Sequence, residues 1–160
     1  MCHNLKMIHI MERISYQDIP QGMFENLMST ENFINNSTLD MHLLEIMRLR
    51  VSQKNGCAYC VDMHHKELKK LNETDLRLSS LCVWEGTPYF TDKERAVLNF
   101  TDILTRLERK PISDAIFNSL LEFFTKEEIS FLTLAISQIN TWTRLMKTFK
   151  FTPGNYKVSN

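Results

Sequence analysis

Glycine and proline are scarce in this chain, and their scarcity limits the folds that it can adopt. Only 4 Gly and 4 Pro occur among the 160 residues, too few for the tight turns of a many-stranded sheet. Helix starts are instead well marked by capping side chains that precede apolar runs. The sequence therefore predicts a single all-α domain over residues 1–160. The predicted helices cover residues 24–35, 41–51, 57–71, 76–84, 96–107, 116–124 and 129–149.

The predicted helix starts differ in the strength of their capping signal. Two of them carry a capping box, in which a Thr and a Glu three residues later satisfy each other's backbone N–H groups. The others offer a single Ser, Thr or Asp cap. The candidate caps are Thr74 or Asp75, Thr91 with Glu94, Ser113 or Asp114, and Thr125 with Glu128.

A pair of cysteines stands at the start of the helix predicted over 57–71. Gly56 breaks the preceding pattern, and Cys57, Cys60 and His64 then fall on one helical face. A Cys-x-x-Cys places two thiols about one turn apart, close enough to form a disulfide. The positive end of the helix dipole favours a thiolate there, and His64 could exchange a proton with Cys60 directly or through a water. The pattern indicates thiol redox chemistry.

Glu45 is the only acidic residue between Met41 and Val51, in a helix whose apolar residues cover nearly its whole circumference. Such a helix is predicted to be buried. Apolar surroundings should raise the pKa of a carboxyl group, which would suit proton transfer near neutral pH. The alternative is that Glu45 pairs with Arg48 or Arg50. Its position twelve residues before Cys57 favours the functional interpretation.

Other uses of a Cys-x-x-Cys fit this chain less well. Cys57, Cys60 and His64 or His65 could supply three zinc ligands, but a closed structural site needs four. Haem attachment requires a histidine where Val61 stands. A structural disulfide is typical of secreted chains, and a thioredoxin-type site would require strands around the motif. We expect no metal ion and no cofactor.

Composition narrows the possible partners and location. The formal net charge is +0, which argues against a nucleic-acid or acidic-membrane partner. No apolar run approaches the roughly 18 residues of a membrane span. Residues 1–13 mix charged and apolar side chains and lack a signal-peptide core. A cytoplasmic location is therefore expected, and in that compartment a Cys-x-x-Cys is typically catalytic or metal-binding.

The remaining features are interpreted structurally. The helix over 129–149 is apolar on several faces, so it is either central to the domain or shared with another subunit. We expect its polar residues Gln138, Asn140 and Arg144 to form hydrogen bonds in the core or at a subunit contact. Cys82 is expected to be a small core residue. Cys2 is assigned to the chain terminus, and His3, His9 and His42 to the surface or to helix boundaries.

The cysteine region and two later segments resemble the AhpD-like alkylhydroperoxidases, within the carboxymuconolactone decarboxylase family. The similarity extends over about residues 13–149, and the spacing Glu-x11-Cys-x2-Cys-x3-His is its most specific part. The namesake decarboxylases lack this cysteine pair, so the resemblance points away from lactone decarboxylation. The matching segments are 49–64 (LRVSQKNGCAYCVDMH), 90–98 (FTDKERAVL) and 132–142 (LTLAISQINTW).

The resemblance implies an AhpD-like helical bundle that forms dimers, trimers or hexamers. It implies that Cys60 attacks the peroxide, that Cys57 closes the disulfide, and that Glu45 and His64 form a proton relay. The founding AhpD proteins carry a second histidine between the cysteines, where this chain has Tyr59. Tyrosine is a poor base near pH 7, although its hydroxyl can form hydrogen bonds.

Three functions are compatible with these features. The first is a cysteine-based peroxidase that is reset by a dithiol reductant, either a lipoyl protein or a thioredoxin-like protein. The second is a dithiol–disulfide oxidoreductase that passes electrons to a partner protein. The third is a non-enzymatic redox-sensing module. Turnover with peroxide, turnover with a protein or lipoyl disulfide, and disulfide formation without turnover would distinguish the three.

Overall fold

A computed structural model describes residues 11–158 of the chain, and within this range it contains helices and no strands. The prediction of an all-α fold is therefore confirmed. Cys2, His3 and His9 lie outside the described residues. The α-helices are α1 (Met23–Asn35), α2 (Met41–Lys54), α3 (Ala58–Lys70), α4 (Asp75–Ser80), α5 (Asp92–Arg106), α6 (Asp114–Leu121) and α7 (Lys126–Phe149), and two short 3-10 helices span Tyr16–Asp18 and Leu81–Gly86.

The predicted capping boxes are present at the starts of α5 and α7. Thr91 N donates to Glu94 Oε2 at 2.8 Å, and Glu94 N donates back to Thr91 Oγ1 at 3.3 Å. Thr125 and Glu128 form the same reciprocal pair, at 2.8 and 3.2 Å. At the start of α4, Thr74 Oγ1 accepts from Arg77 N at 3.3 Å. Caps of this kind stabilise a helix end by about 1 kcal/mol each.

Helix α2 passes through the centre of the fold, and its residues from Leu43 to Ser52 are all buried. One of its faces packs into a core formed with α1, α5, α6 and α7, while Ile46 and Leu49 join a second core with α3, α4 and the 3-10 helix Leu81–Gly86. The predicted burial of this helix is confirmed. Any charged side chain on it must therefore find a partner inside the protein.

One buried charge on α2 is neutralised on the side facing α5. Arg50 Nε and Nη2 donate to the two carboxylate oxygens of Asp102 at 2.7 and 2.6 Å, and Arg50 Nη1 donates to the carbonyl of Cys82 at 3.0 Å. Asp102 also accepts from Trp84 Nε1 at 3.4 Å. This bidentate pair fixes α2 against α5.

Helix α7 is central to the domain, as one of the two sequence interpretations proposed. Its buried apolar residues from Ile129 to Ile139 join the core around α2, while Met146 and Phe149 pack against the two cysteines. Its polar residues form hydrogen bonds within the domain. Gln138 Nε2 donates to Leu27 O at 2.9 Å, and Asn140 Oδ1 accepts from Asn55 Nδ2 at 2.9 Å. Among residues 11–158, no helix combines the length and the hydropathy that crossing a bilayer requires.

Candidate active site

The two cysteines are placed by the turn that joins α2 to α3. Gly56 lies in the left-handed region at φ +59°, a conformation that glycine adopts without strain. Gly56 N donates to Gln53 O at 3.1 Å, and Cys57 N donates to Ser52 O at 3.0 Å. This pair of bonds is a Schellman motif, which ends α2 and lets α3 begin at once. Cys57 is consequently the N-cap of α3.

Cys57 caps α3 with its sulfur. Cys60 N donates to Cys57 Sγ at 3.4 Å, in the position where a Ser or Asp oxygen usually accepts. Both cysteines are free thiols and are nearly inaccessible, with 1% and 2% of their surfaces exposed. The predicted placement of both thiols at the start of a helix is therefore observed, with the helix beginning one residue later than expected.

The two thiols are not equivalent. The hydrogen bond from the Cys60 thiol lowers the pKa of Cys57, and Lys147 adds a smaller lowering effect. The same hydrogen bond, followed by burial, raises the pKa of Cys60. Lys147 is held near this turn because its Nζ donates to Asn55 O at 2.6 Å. The first thiolate of the reduced pair thus forms at Cys57, with the remaining proton on Cys60 facing it.

Glu45 and His64 meet in the interior between α2 and α3. His64 Nδ1 lies 2.8 Å from Glu45 Oε2, and Arg48 Nη1 donates to Glu45 Oε1 at 2.7 Å. All three side chains are buried. From the sequence, Glu45 was expected to be either a relay carboxylate or the partner of an arginine. In the structure it contacts both His64 and Arg48.

The expectation of a raised pKa for Glu45 is wrong. Burial does raise it, but the adjacent His64 and the Arg48 guanidinium lower it by more, so the pKa of Glu45 lies below its ordinary value. Glu45 is therefore a carboxylate at neutral pH. An anion at this position requires a proton on His64 Nδ1, which leaves Nε2 as the nitrogen that can take up or release a proton.

His64 Nε2 is buried and has no hydrogen-bond partner among the described residues. It therefore makes no direct hydrogen bond to Cys60, which leaves transfer through a bridging water or substrate as the route between them. A buried nitrogen without a protein partner is costly unless another group bonds to it. His64 lines a cavity in which such a group could bind.

The cavity has a volume of about 550 Å³ and brings Cys60 and His64 to the same space. Cys57 is not among its lining residues. Apolar side chains from α1, α2, α3 and α7 form much of the remaining wall, and the volume is typical of a small-molecule site. These apolar residues include Phe24, Met28, Met41, Met63, Ile139, Trp142 and Met146.

Arg48 continues the polar network away from Glu45 into α1. Its Nη2 donates to Asn35 Oδ1 at 2.6 Å and also pairs with Glu31. Glu31 in turn accepts from Trp142 Nε1 at 3.2 Å. Glu31 and Asn35 were not predicted as site residues, because their positions on α1 show no motif that links them to the cysteines.

Tyr59 also lines the cavity, at the position where the founding AhpD proteins have a histidine. Burial, followed by the neighbouring Tyr16, raises the pKa of Tyr59 to about 12. Its hydroxyl is therefore protonated at neutral pH. Tyr59 can donate a hydrogen bond in this state, but it cannot act as a base as a histidine would.

One further expectation concerns a residue outside this cavity. The expectation that Cys82 is a core residue is wrong, because the side chain is exposed and its sulfur donates to Ser79 O at 3.3 Å. Backbone geometry at Val83 is non-helical, which turns this part of the chain away from a regular helix. Among residues 11–158, no three His, Cys, Asp or Glu side chains are grouped to hold a metal ion.

Comparison with known proteins identifies the family of the chain. The family model for the carboxymuconolactone decarboxylase family matches residues 21–102. The uncharacterized protein YdfG of Bacillus subtilis strain 168 is 33% identical over 135 residues, which cover 84% of this chain and 91% of that protein. The chain belongs to the carboxymuconolactone decarboxylase family.

Solved structures define the fold more closely. A protein of unknown function from Agrobacterium tumefaciens, provisionally named as the antioxidant defence protein AhpD, is 34% identical and superposes with a TM-score of 0.86. The match covers 91% of this chain and all (100%) of that chain. An uncharacterized peroxidase-related protein from Silicibacter sp. TM1040 shares the fold alone, at 20% identity and a TM-score of 0.74 over 82% of this chain and 70% of that chain. The chain therefore has the AhpD-like helical fold.

Proposed function

We propose that this protein is a cysteine-based peroxidase of the alkylhydroperoxidase type, with a redox pair formed by Cys57 and Cys60. The observation that carries the proposal is the shared cavity. Cys60 and His64 both line it, the buried Nε2 of His64 has no hydrogen-bond partner among the described residues, and Glu45 fixes the other nitrogen of His64. A nucleophilic sulfur and a proton donor beside one cavity are the groups that cleavage of an O–O bond requires.

The first step is attack of the Cys60 sulfur on the peroxide. The proton that Cys60 shares with Cys57 moves to Cys57, and the Cys60 thiolate attacks the terminal oxygen. An S–O bond forms and the O–O bond breaks, so Cys60 becomes a sulfenic acid and an alkoxide leaves. His64, which gains its proton from solvent, donates it from Nε2 to the alkoxide. The Glu45 carboxylate stabilises the imidazolium during this exchange.

The second step closes the disulfide. The thiol of Cys57 condenses with the sulfenic acid of Cys60, which forms the S–S bond and releases water. An external dithiol then reduces the disulfide and is itself oxidised. Because both sulfurs are almost fully buried, a slender dithiol such as a lipoyl arm suits this step better than the flat face of a thioredoxin-like protein.

The alternative is a dithiol–disulfide oxidoreductase that passes electrons to a protein partner. The burial of both cysteines favours the peroxidase, since a protein disulfide must reach the sulfur that it exchanges with. The family and the AhpD-like fold support a peroxidase-related function without specifying the substrate.

Peroxide consumption with a panel of reductants tests the proposal. Purified protein is incubated with an organic hydroperoxide or hydrogen peroxide, and with a lipoyl dithiol, a thioredoxin system or a small dithiol. Catalytic turnover that depends on Cys60 is expected with at least one combination of peroxide and reductant. Turnover with a protein disulfide and none with any peroxide would favour the oxidoreductase. Disulfide formation without turnover in any combination would favour the sensing module.

A further inference from the structure

The chain that follows α7 turns back across the cysteine region. Lys150 adopts a left-handed conformation at φ +59°, which ends α7 and reverses the chain. Phe151 is buried in the same apolar cluster as Cys57 and Cys60. Its ring stacks on Tyr16 with a centroid distance of 4.8 Å. Residues 150–158, called here the C-terminal strap, are therefore anchored at their beginning beside the two thiols.

The strap is also bonded to α3. Lys66 Nζ donates to the carbonyls of Gly154 and Tyr156 at 3.3 and 3.0 Å, and it pairs with Asp62 at 2.9 Å. Asp62 Oδ2 accepts from Gly154 N at 3.0 Å. Two side chains one turn apart on α3 thus bind three backbone groups of the strap, and these contacts determine where Tyr156 lies.

Tyr156 lines the cavity that contains Cys60 and His64. Its hydroxyl donates to Glu67 on α3. Burial, followed by this contact with Glu67, raises the pKa of Tyr156, so the hydroxyl is protonated at neutral pH. The ring is consequently held in a fixed place, between the strap backbone and α3, on the wall of the cavity.

We propose that the C-terminal strap is a wall of the substrate pocket and that Tyr156 is a specificity-determining residue, which limits the bulk of the molecules that reach Cys60. Cys60 has only 2% of its surface exposed, so a molecule that reacts with it must pass through the cavity. This inference rests on the proposed function, because it assigns the cavity to the substrate. The family model ends at residue 102 and so does not include the strap.

Alkylation of Cys60 by two maleimides tests the strap without any peroxide chemistry. N-methylmaleimide and N-(1-pyrenyl)maleimide carry the same reactive group and differ in bulk. The rate of modification at Cys60 is measured for each in a Cys2→Ser, Cys82→Ser background, with the modified cysteine located by tandem mass spectrometry. The readout is the ratio of the pyrenyl rate to the methyl rate.

Three variants are compared. Tyr156→Ala removes the ring, and Lys66→Met removes the side chain that binds two strap carbonyls. Lys69→Met is the matched control, since Lys69 lies on the same helix but bonds to Asp75 and to Glu73 O instead of the strap. Thermal unfolding of each variant verifies that it is folded.

The ratio is expected to rise about tenfold in Tyr156→Ala, which is a typical size for discrimination by pocket shape. It should also rise in Lys66→Met and stay unchanged in Lys69→Met. An unchanged ratio in folded Tyr156→Ala, or an equal rise in Lys69→Met, would overturn the proposal. A rise in Tyr156→Ala alone would keep the role of Tyr156 and overturn that of the Lys66 anchor. If the protein turns over peroxide and the ratio is unchanged, the proposed function stands and the role of the strap is rejected. If the ratio changes but the protein turns over no peroxide, the role of the strap stands and the proposed function is rejected.

Discussion

Glu45→Gln tests whether the buried carboxylate sets the protonation of His64. The carboxylate accepts from Arg48 with one oxygen and from His64 Nδ1 with the other. An amide has one oxygen and one NH₂ group, so it cannot accept from both partners. If its oxygen faces Arg48, the NH₂ group faces Nδ1, which then has to accept. In that case the neutral His64 ring would carry its proton on Nε2. The imidazolium form of His64 would lose the Glu45 carboxylate as its counter-ion.

The expected loss is large in rate and moderate in stability. General acid catalysis is typically worth about 10²–10⁴-fold, and we expect a loss of about 10²-fold in the oxidation of Cys60, because His64 itself is retained. The substitution also weakens a buried hydrogen bond between charged groups, which typically costs about 1.5–3 kcal/mol in the free energy of unfolding. His64→Asn should slow oxidation by at least as much, because it removes the proton donor itself. The double variant should be scarcely slower than the slower single variant if both residues act in one relay.

Asp102→Asn is the matched control for this prediction. Asp102 is likewise a carboxylate bonded to an α2 arginine in the interior, but neither Arg50 nor Asp102 lines the cysteine cavity. Both variants change a carboxylate to an amide beside a buried guanidinium, so both should lower the unfolding free energy measured with urea. Only Glu45→Gln should slow the oxidation of Cys60, which is measured by stopped-flow at neutral pH.

Two results would refute this reasoning. An unchanged oxidation rate in Glu45→Gln would leave Glu45 as a structural partner of Arg48 and remove the relay. Equal slowing in Glu45→Gln and Asp102→Asn would show that the effect comes from a general loosening of α2.

The remaining predictions concern the sulfurs, acid stability and assembly. Cys60→Ser should abolish peroxide consumption, and Cys57→Ser should leave a sulfenic acid on Cys60 that mass spectrometry detects; activity retained in Cys60→Ser, with sulfenic acid on Cys57, would reverse these roles. The folded-state pKa of Glu45 lies below its ordinary value of 4.5, so its ionisation stabilises the fold above about that pH and the contribution disappears as the pH falls through the folded-state value. The free energy of unfolding measured with urea should therefore fall more steeply on acidification for the unsubstituted protein than for Glu45→Gln. The protein should form a homo-oligomer with contacts that include α7. Light scattering measures the mass of the species in solution, and a species of 18.9 kDa at micromolar concentration would contradict the assembly.

Local sequence signals were sufficient for the helices and for the position of the thiols. Thr91 with Glu94, and Thr125 with Glu128, satisfy backbone groups of their own helix starts, so neighbouring residues alone determine these caps. Gly56 acts in the same local way at the end of α2. Cys82 shows the limit of this approach, because the apolar pattern around it does not reveal that the helix is interrupted at Val83.

The parts of the site that escaped prediction depend on contacts between distant segments. Arg48 meets Glu31 only because α1, which packs on α7, lies within reach of the long Arg48 side chain. Tyr156 lines the cavity in a strap that is bonded to Lys66. Neither contact leaves a spacing pattern in the sequence. The spacing from Glu45 to His64 was informative because both residues belong to consecutive helices joined by one short turn.

The error about Glu45 changes the chemistry assigned to it. A carboxyl group in apolar surroundings would take up a proton near neutral pH, and the sequence suggested that environment. The structure instead places a guanidinium and an imidazole against its two oxygens. Their attraction for the anion exceeds the cost of burial, so the group remains ionised. A carboxylate that remains ionised cannot shuttle protons, but it can orient His64 and stabilise the imidazolium. The moving proton in the proposed reaction therefore belongs to His64 Nε2, and Glu45 acts as the fixed charge that makes its transfer possible.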